Sequence, residues 1–307
     1  MQLSANLRAS AFMALSMAGL VVNDALVKTL GGALGIGQIM FVRGAIIVAF
    51  LAAFVWLRRA PGRARDALCW PVALRTFGEV VATILFLNAL FHMPLANATA
   101  VLQALPLVVA LGAALFLGEP VGWRRFSAIA VGFAGVMLIV RPGFEGFNAF
   151  ALFALGAVFF AALRDLATRM APAGIPSLTI SLITAAAVAV IGLALIPVSG
   201  GWRPMTPAIW LTLAAAAGFL FIGYHFVVMA MRVGEIGFVA PFRYTSLLWA
   251  IIVGIVVFGD FPDALMLIGS AIVVATGIYT LHRERVTQAR LRAATHSAES
   301  APSARGT

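Results

Sequence analysis

Asn23-Asp24-Ala25-Leu26-Val27-Lys28 closes the first apolar stretch of the chain, and Arg164-Asp165-Leu166-Ala167-Thr168-Arg169 lies 141 residues further on. Both segments set an acidic residue four places before a basic one, inside otherwise apolar sequence. The same offset lays Gly118-Glu119 on Gly259-Asp260 and Asn88-Ala89-Leu90 on Met229-Ala230-Met231. With a one-residue slip, Ser127 through Gly135 falls on Gly269 through Gly277. The chain therefore reads as two related halves. Each half carries five apolar stretches, an odd number, so the second half has to enter its surroundings from the face opposite to the first. An inverted repeat of this kind lets one central site be reached alternately from two sides.

Those surroundings are lipid. Of 307 residues 63% are hydrophobic and 10% charged, against roughly 25% charged in a soluble domain. A water-soluble fold has too little interior to hide so much apolar surface. Apolar stretches at 9–30, 37–57, 70–91, 94–117, 124–140, 148–168, 177–197, 206–230, 236–258 and 263–281 each approach the length of about 20 residues that crosses a bilayer as a helix. They are continuous rather than alternating, which favours helices over a barrel. The expected fold is an all-α polytopic membrane protein of ten transmembrane helices, a 5+5 inverted repeat. Residues 1–145 form the first repeat, residues 146–281 the second, and residues 282–307 a basic tail that is a brief helical extension. The first apolar stretch belongs to the repeat, so it reads as a structural span and not as a cleaved signal.

The formal net charge of +10 is explained by topology, not by nucleic acid. With the N-terminus in the cytoplasm, the inner segments hold fifteen arginines (Arg8, Arg58, Arg59, Arg63, Arg65, Arg124, Arg125, Arg164, Arg169, Arg232 and five in the tail). The outer segments hold three cations: Lys28, Arg141 and Arg203. The positive-inside rule then puts both termini in the cytoplasm and the chain in the cell (inner) membrane. Tryptophans at positions 56, 70, 123, 202 and 210 fall at span ends, as an interfacial belt does.

Charges within spans are costly and need protein or water around them. Asp24, Lys28 and Arg43 form an outer layer, either a gate or ion pair or a direct contact to cargo. Asp165, Arg169 and Arg243 mirror them in an inner layer, with His225, Tyr224 and Tyr244 at similar depth. Arginine supplies a fork of donors for an anionic group, and tyrosine a stacking face with a polar tip. Glu79 lies nearest the midplane, one turn from Arg75: the two read as a structural pair, with a proton-coupling or cation-binding carboxylate as the alternative. Gln103 and Asn88 read as interhelical hydrogen-bonding groups.

Asn23-Asp24-x-x-x-Lys28, Arg43, and Pro241-Phe242-Arg243-Tyr244 leading to Gly259-Asp260-Phe261-Pro262-Asp263 resemble the drug/metabolite transporter superfamily over essentially the whole chain. The nearest likeness is to its EamA-type ten-helix carriers. Among these the S-adenosylmethionine uptake carriers look most similar, and the riboflavin importers are similar in plan. The resemblance implies a cavity lined by spans of both halves and no covalent chemistry.

A secondary carrier of a small polar organic metabolite, vitamin- or nucleoside-like, follows as the expected function, with protons as a candidate coupling ion. Amino-acid or drug export is the alternative within the superfamily. A membrane enzyme is the alternative outside it, but the chain has no Walker, HExxH or GxSxG sequence. It has one cysteine, Cys69, and four histidines, two of them in the tail. No catalytic residue, cofactor or metal is expected, and the oligomeric state is not written in the sequence.

Overall fold

The structure, a computed structural model, describes residues 2–58, 69–118, 122–142, 148–172 and 174–299. Arg59, Arg63, Arg65 and Arg305 lie outside the described residues. Among the described residues, ten helical spans are long and apolar enough to cross a membrane. Spans 1 to 5 are Ala5–Thr29, Ile36–Ala53, Trp70–His92, Leu95–Phe116 and Trp123–Val140. Spans 6 to 10 are Phe150–Met170, Ser177–Leu195, Pro207–Val233, Ala240–Phe258 and Ala264–Arg283. The all-α fold with ten spans is thus as expected. The last helix runs unbroken from Ala264 to Glu299, so the tail is a longer helical extension than the sequence suggested. Its run of alanine, arginine and glutamate consists largely of strong helix formers.

Successive spans run antiparallel. The end of the bundle where span 1 begins and span 10 finishes is called here the near end, and the opposite one the far end. Span 1 packs along span 8, and span 3 along span 6. The 141-residue offset turns one pair into the other. The contacts repeat in detail: a Cβ on Gly19 would stand 3.3 Å from the Phe219 carbonyl oxygen, and a Cβ on Gly78 2.8 Å from that of Phe160. Residues 19 and 160 are equivalent under the offset, as are 78 and 219. Lipid tails are as apolar as leucine, so helices associate there through close backbone approach, which small residues permit. Spans 2 and 7 pack together, as do 5 and 10, and each of these pairs maps onto itself. The arrangement is consistent with the expected inverted repeat.

Spans 4 and 9 are the broken ones. Span 4 comprises Leu95–Leu102 and Leu105–Phe116, separated at Gln103-Ala104 just before Pro106. Span 9 opens with a tight turn at Ala240–Tyr244 around Pro241, continues as Thr245–Val253, and ends in a wide turn at Gly254–Phe258. Each proline lacks an N–H for the helical ladder. The two breaks meet: Gln103 Nε2 donates to the Tyr244 carbonyl at 3.3 Å and to Ser246 Oγ at 3.0 Å. Gln103 and Tyr244 are themselves 141 residues apart, so this contact lies where the two halves exchange.

Polar contacts lace the far end. The His92 ring stacks on Phe150 at 3.9 Å, and Asn148 Nδ2 donates to the His92 carbonyl at 2.8 Å. Gln38 and the Arg203 backbone exchange two hydrogen bonds of 2.8 and 2.9 Å, and Arg141 pairs with Asp263. Trp70, Trp123, Trp202 and Trp210 are exposed near span ends, as a belt should be.

Gly78→Val places branched carbons against the backbone of span 6, where no rotamer change relieves them. It should lower stability in detergent by about 1–3 kcal/mol. Gly32→Ala, where an added Cβ meets nothing within 4 Å, should leave the thermal midpoint unmoved.

Candidate functional site

Between the halves lies a cavity of about 530 Å³ lined by side chains of every span except the seventh. Drug-sized ligands occupy pockets of roughly 300–1,000 Å³. Leu87, Thr99 and Ala157 lie toward its floor, while Arg125, Arg169 and Leu281, which come from near-end segments of their spans, lie toward its mouth. The cavity therefore opens toward the near end, where its lining reaches the ends of spans 5, 6 and 10.

Of the residues singled out in the sequence, Asp24, Arg43, Glu79, Asp165, Arg169, Tyr224, Arg243 and Tyr244 all line this one cavity. The two charge layers are its deeper and shallower walls. Two residues are elsewhere. His225 is exposed and meets Phe226 edge-on at 6.3 Å. It follows Tyr224 on the helix, rotated by about 100°, and is not among the residues that line the cavity. Lys28 points away from Asp24: its ammonium donates to the carbonyls of Leu90 at 2.8 Å and Met93 at 2.6 Å, where the helix of span 3 ends. A helix C-terminus leaves carbonyls unpaired and carries partial negative charge, so a lysine caps it well.

Asp24 is held instead by its neighbour. Asn23 Nδ2 donates to Asp24 Oδ1 at 2.8 Å, and Arg43 Nη1 donates to Asn23 Oδ1 at 3.4 Å. Asn23 thus bridges the carboxylate of span 1 to the guanidinium of span 2.

The expected Arg75–Glu79 pair is replaced by a different one. Arg164 Nη1 reaches Glu79 Oε2 at 2.8 Å, and its Nε reaches Asp165 Oδ1 at 2.8 Å. Arg75 turns to span 7, donating to Thr184 Oγ1 at 2.5 Å. Geometry explains the exchange. Gly78 brings the backbone of span 6 against span 3 at Arg164, so the guanidinium arrives beside Glu79 without spanning a gap. Arg164 is the residue the sequence reading missed, having counted it among the inner-segment cations. Its signal was present, since it opens the repeat segment aligned with Asn23. Both equivalents hold the adjacent aspartate: Asn23 holds Asp24 by a neutral donor, Arg164 holds Asp165 by a charged one.

Gln103 ties the two broken spans, as interhelical groups do, whereas Asn88 Nδ2 turns back onto the Ile84 carbonyl of its own helix at 2.7 Å. Trp249 Nε1 donates to the Ala14 carbonyl at 3.0 Å, joining span 9 to span 1. Two buried hydroxyls of cavity-lining residues, Thr99 Oγ1 and Tyr244 Oη, have no hydrogen-bond partner among the described residues. The lining charges are Arg43, Arg125, Arg164, Arg169 and Arg243 against Asp24, Glu79 and Asp165, an excess of two cations. Nothing in this set resembles a nucleophile with its base, and no cluster able to hold a metal occurs among the described residues.

The EamA-like transporter family model matches the chain twice, over residues 7–141 and 148–281. The chain belongs to that family. It is a multi-pass membrane transporter. It is 30% identical over 208 residues to a riboflavin transporter of Vibrio cholerae, covering 66% of this chain and 67% of that one. An S-adenosylmethionine uptake transporter of Rickettsia conorii is 28% identical over 197 residues, covering 62% and 65%. A pseudopaline exporter of Pseudomonas aeruginosa is 27% identical over 263 residues, covering 84% and 90%. A solved crystal structure at 21% identity superposes with a TM-score of 0.62 over 93% of this chain and 99% of that chain, a likeness of fold.

The ion pairs make a measurable prediction. A double-mutant cycle between Glu79→Gln and Arg164→Met should give a coupling energy of about 1–3 kcal/mol in detergent unfolding, and the cycle between Glu79→Gln and Arg75→Met less than half of that. A larger coupling to Arg75 would contradict the pairing.

Proposed function

We propose that this transporter is a secondary carrier for a small polar organic metabolite with a planar ring, vitamin- or nucleoside-like, moved across the cell inner membrane by alternating access. The observation that carries the reading is the cavity on the contact between the halves, whose polar groups come from both repeats. Asp24 with Arg43 and Glu79 with Arg164 and Asp165 form its charged walls. Tyr224 and Phe86 supply aromatic faces.

Between the two uptake cargoes carried by relatives, the cavity favours the flavin. S-adenosylmethionine bears a sulfonium cation, and a lining with two more cations than anions repels it. An isoalloxazine ring is neutral, planar and rich in hydrogen-bonding edges, and it suits tyrosine stacking and arginine forks. A second reading, export of a metabolite, is supported by the pseudopaline exporter, whose similarity extends over more of the chain. In either direction Glu79, on the cavity wall and paired with Arg164, is our candidate for coupling protons. With both termini in the cytoplasm, the near end is the cytoplasmic one and the structure is inward-open.

Purified protein in liposomes should accumulate labelled riboflavin above protein-free liposomes, and S-adenosylmethionine much less. Arg43→Ala and Arg243→Ala, folded by size-exclusion profile, should each lower initial uptake at least tenfold. Glu79→Gln should remove the response to an imposed pH gradient while leaving exchange. Equal uptake in liposomes with and without protein, across a panel that includes amino acids, would refute the carrier reading.

A further inference from the structure

The two sets of carboxylate and arginine on the cavity wall are joined in different ways. In one, Arg164 meets Glu79 and Asp165 directly, each at 2.8 Å. In the other, the carboxamide of Asn23 stands between Asp24 and Arg43. Its Nδ2 donates to Asp24 Oδ1 at 2.8 Å, and its Oδ1 accepts from Arg43 Nη1 at 3.4 Å. Asp24 and Arg43 make no other side-chain hydrogen bond and no direct ion pair among the described residues. All three line the cavity, and Asn23 itself is buried. A pair that served only to neutralise its charges would close directly, since a guanidinium and a carboxylate in contact make the stronger bond. Here an amide keeps them apart.

The Asn23 amide also shows what the pair accepts. It presents an N–H to the carboxylate and a C=O to the guanidinium, side by side in one plane. A ring imide or lactam carries the same two groups on one edge at the same spacing. Asp24 and Arg43 each spend one site on Asn23, and a carboxylate and a guanidinium both have several.

We propose that Asp24 and Arg43 form a recognition site for the N–H/C=O edge of a planar ring, the edge that flavins and uracil-type bases share. The ring N–H donates to Asp24, and the neighbouring carbonyl accepts from Arg43. Asn23 is the positioning residue that holds the two apart. Paired hydrogen bonds of this kind are how side chains read the edge of a base. Tyr224 lines the same cavity within electrostatic reach of both charges, so a ring seated on the pair has an aromatic face beside it. A zwitterionic amino acid also offers a donor and an acceptor. It brings two full charges, however, which must shed their water to reach a half-buried site. A neutral ring edge has far less hydration to lose.

This inference rests on the planar-ring carrier reading above and deepens it. Its test titrates the full chain in detergent with riboflavin and with riboflavin methylated at the imide nitrogen, following flavin fluorescence. Methylation removes the N–H and leaves the ring, its carbonyls and its side chain. The native protein should bind the methylated form at least about tenfold more weakly, the scale of a lost bond to a charged acceptor. Uridine, which carries the same edge, should displace riboflavin at lower concentration than alanine does. Asp24→Asn should weaken riboflavin about tenfold and the methylated form little. Asn23→Leu should let Arg43 close onto Asp24, so that discrimination between the two flavins falls to about threefold or less while ring binding persists. If either variant does not fold, the native comparison decides. Equal affinity of the native protein for both flavins, or easier displacement by alanine than by uridine, would overturn the edge site and leave the carrier reading standing. Binding of neither flavin nor uridine would instead overturn the planar-ring reading, on which the edge site depends.

Discussion

Arg164 grips Glu79 on span 3 with one nitrogen and its own neighbour Asp165 with another, both at 2.8 Å, on the wall of the cavity. Much else follows from the need to keep such charges out of lipid. Each intramembrane ionisable group has to face protein or water, so the spans carrying them turn inward and enclose a common space. The ion pairs are half-buried and open to that space, so they remain accessible to an incoming molecule.

Close backbone contact makes the network possible. Gly78 against Phe160 and Gly19 against Phe219 bring the backbones of spans 3 and 6, and of spans 1 and 8, close together. These two crossings are copies of each other. Spans 4 and 9, broken beside prolines, meet at Gln103 and Tyr244 between the copies.

Most of the fold was legible in the sequence because lipid imposes a simple rule, long apolar runs, and because the duplication left its charges in register. Eight of the ten charged or aromatic positions chosen for the site do line one cavity. The partners were less legible. Asp24 with Lys28 and Glu79 with Arg75 satisfied the one-turn spacing of a helix face, yet neither pair forms. Lys28 found free carbonyls on another helix, and Arg75 found Thr184. Spacing along one helix reports which residues share a face, and the partner is chosen by whichever neighbouring helix comes closest. A glycine at residue 78, not any charge, decided that Glu79 would meet Arg164. His225 was placed by depth alone, and depth does not fix azimuth.

The account depends most on the two halves being inverted. Gly32, between spans 1 and 2, and Gly174, between spans 6 and 7, are exposed, with open space around them, and occupy corresponding turns of the two repeats. In a Cys69→Ser background, Gly32→Cys and Gly174→Cys should react with an impermeant maleimide from opposite faces of the membrane. Gly32→Cys should react only from outside the cell and Gly174→Cys only from within. Labelling of both from the same face would contradict the inverted repeat, and with it the cavity's role as a site shared between two sides.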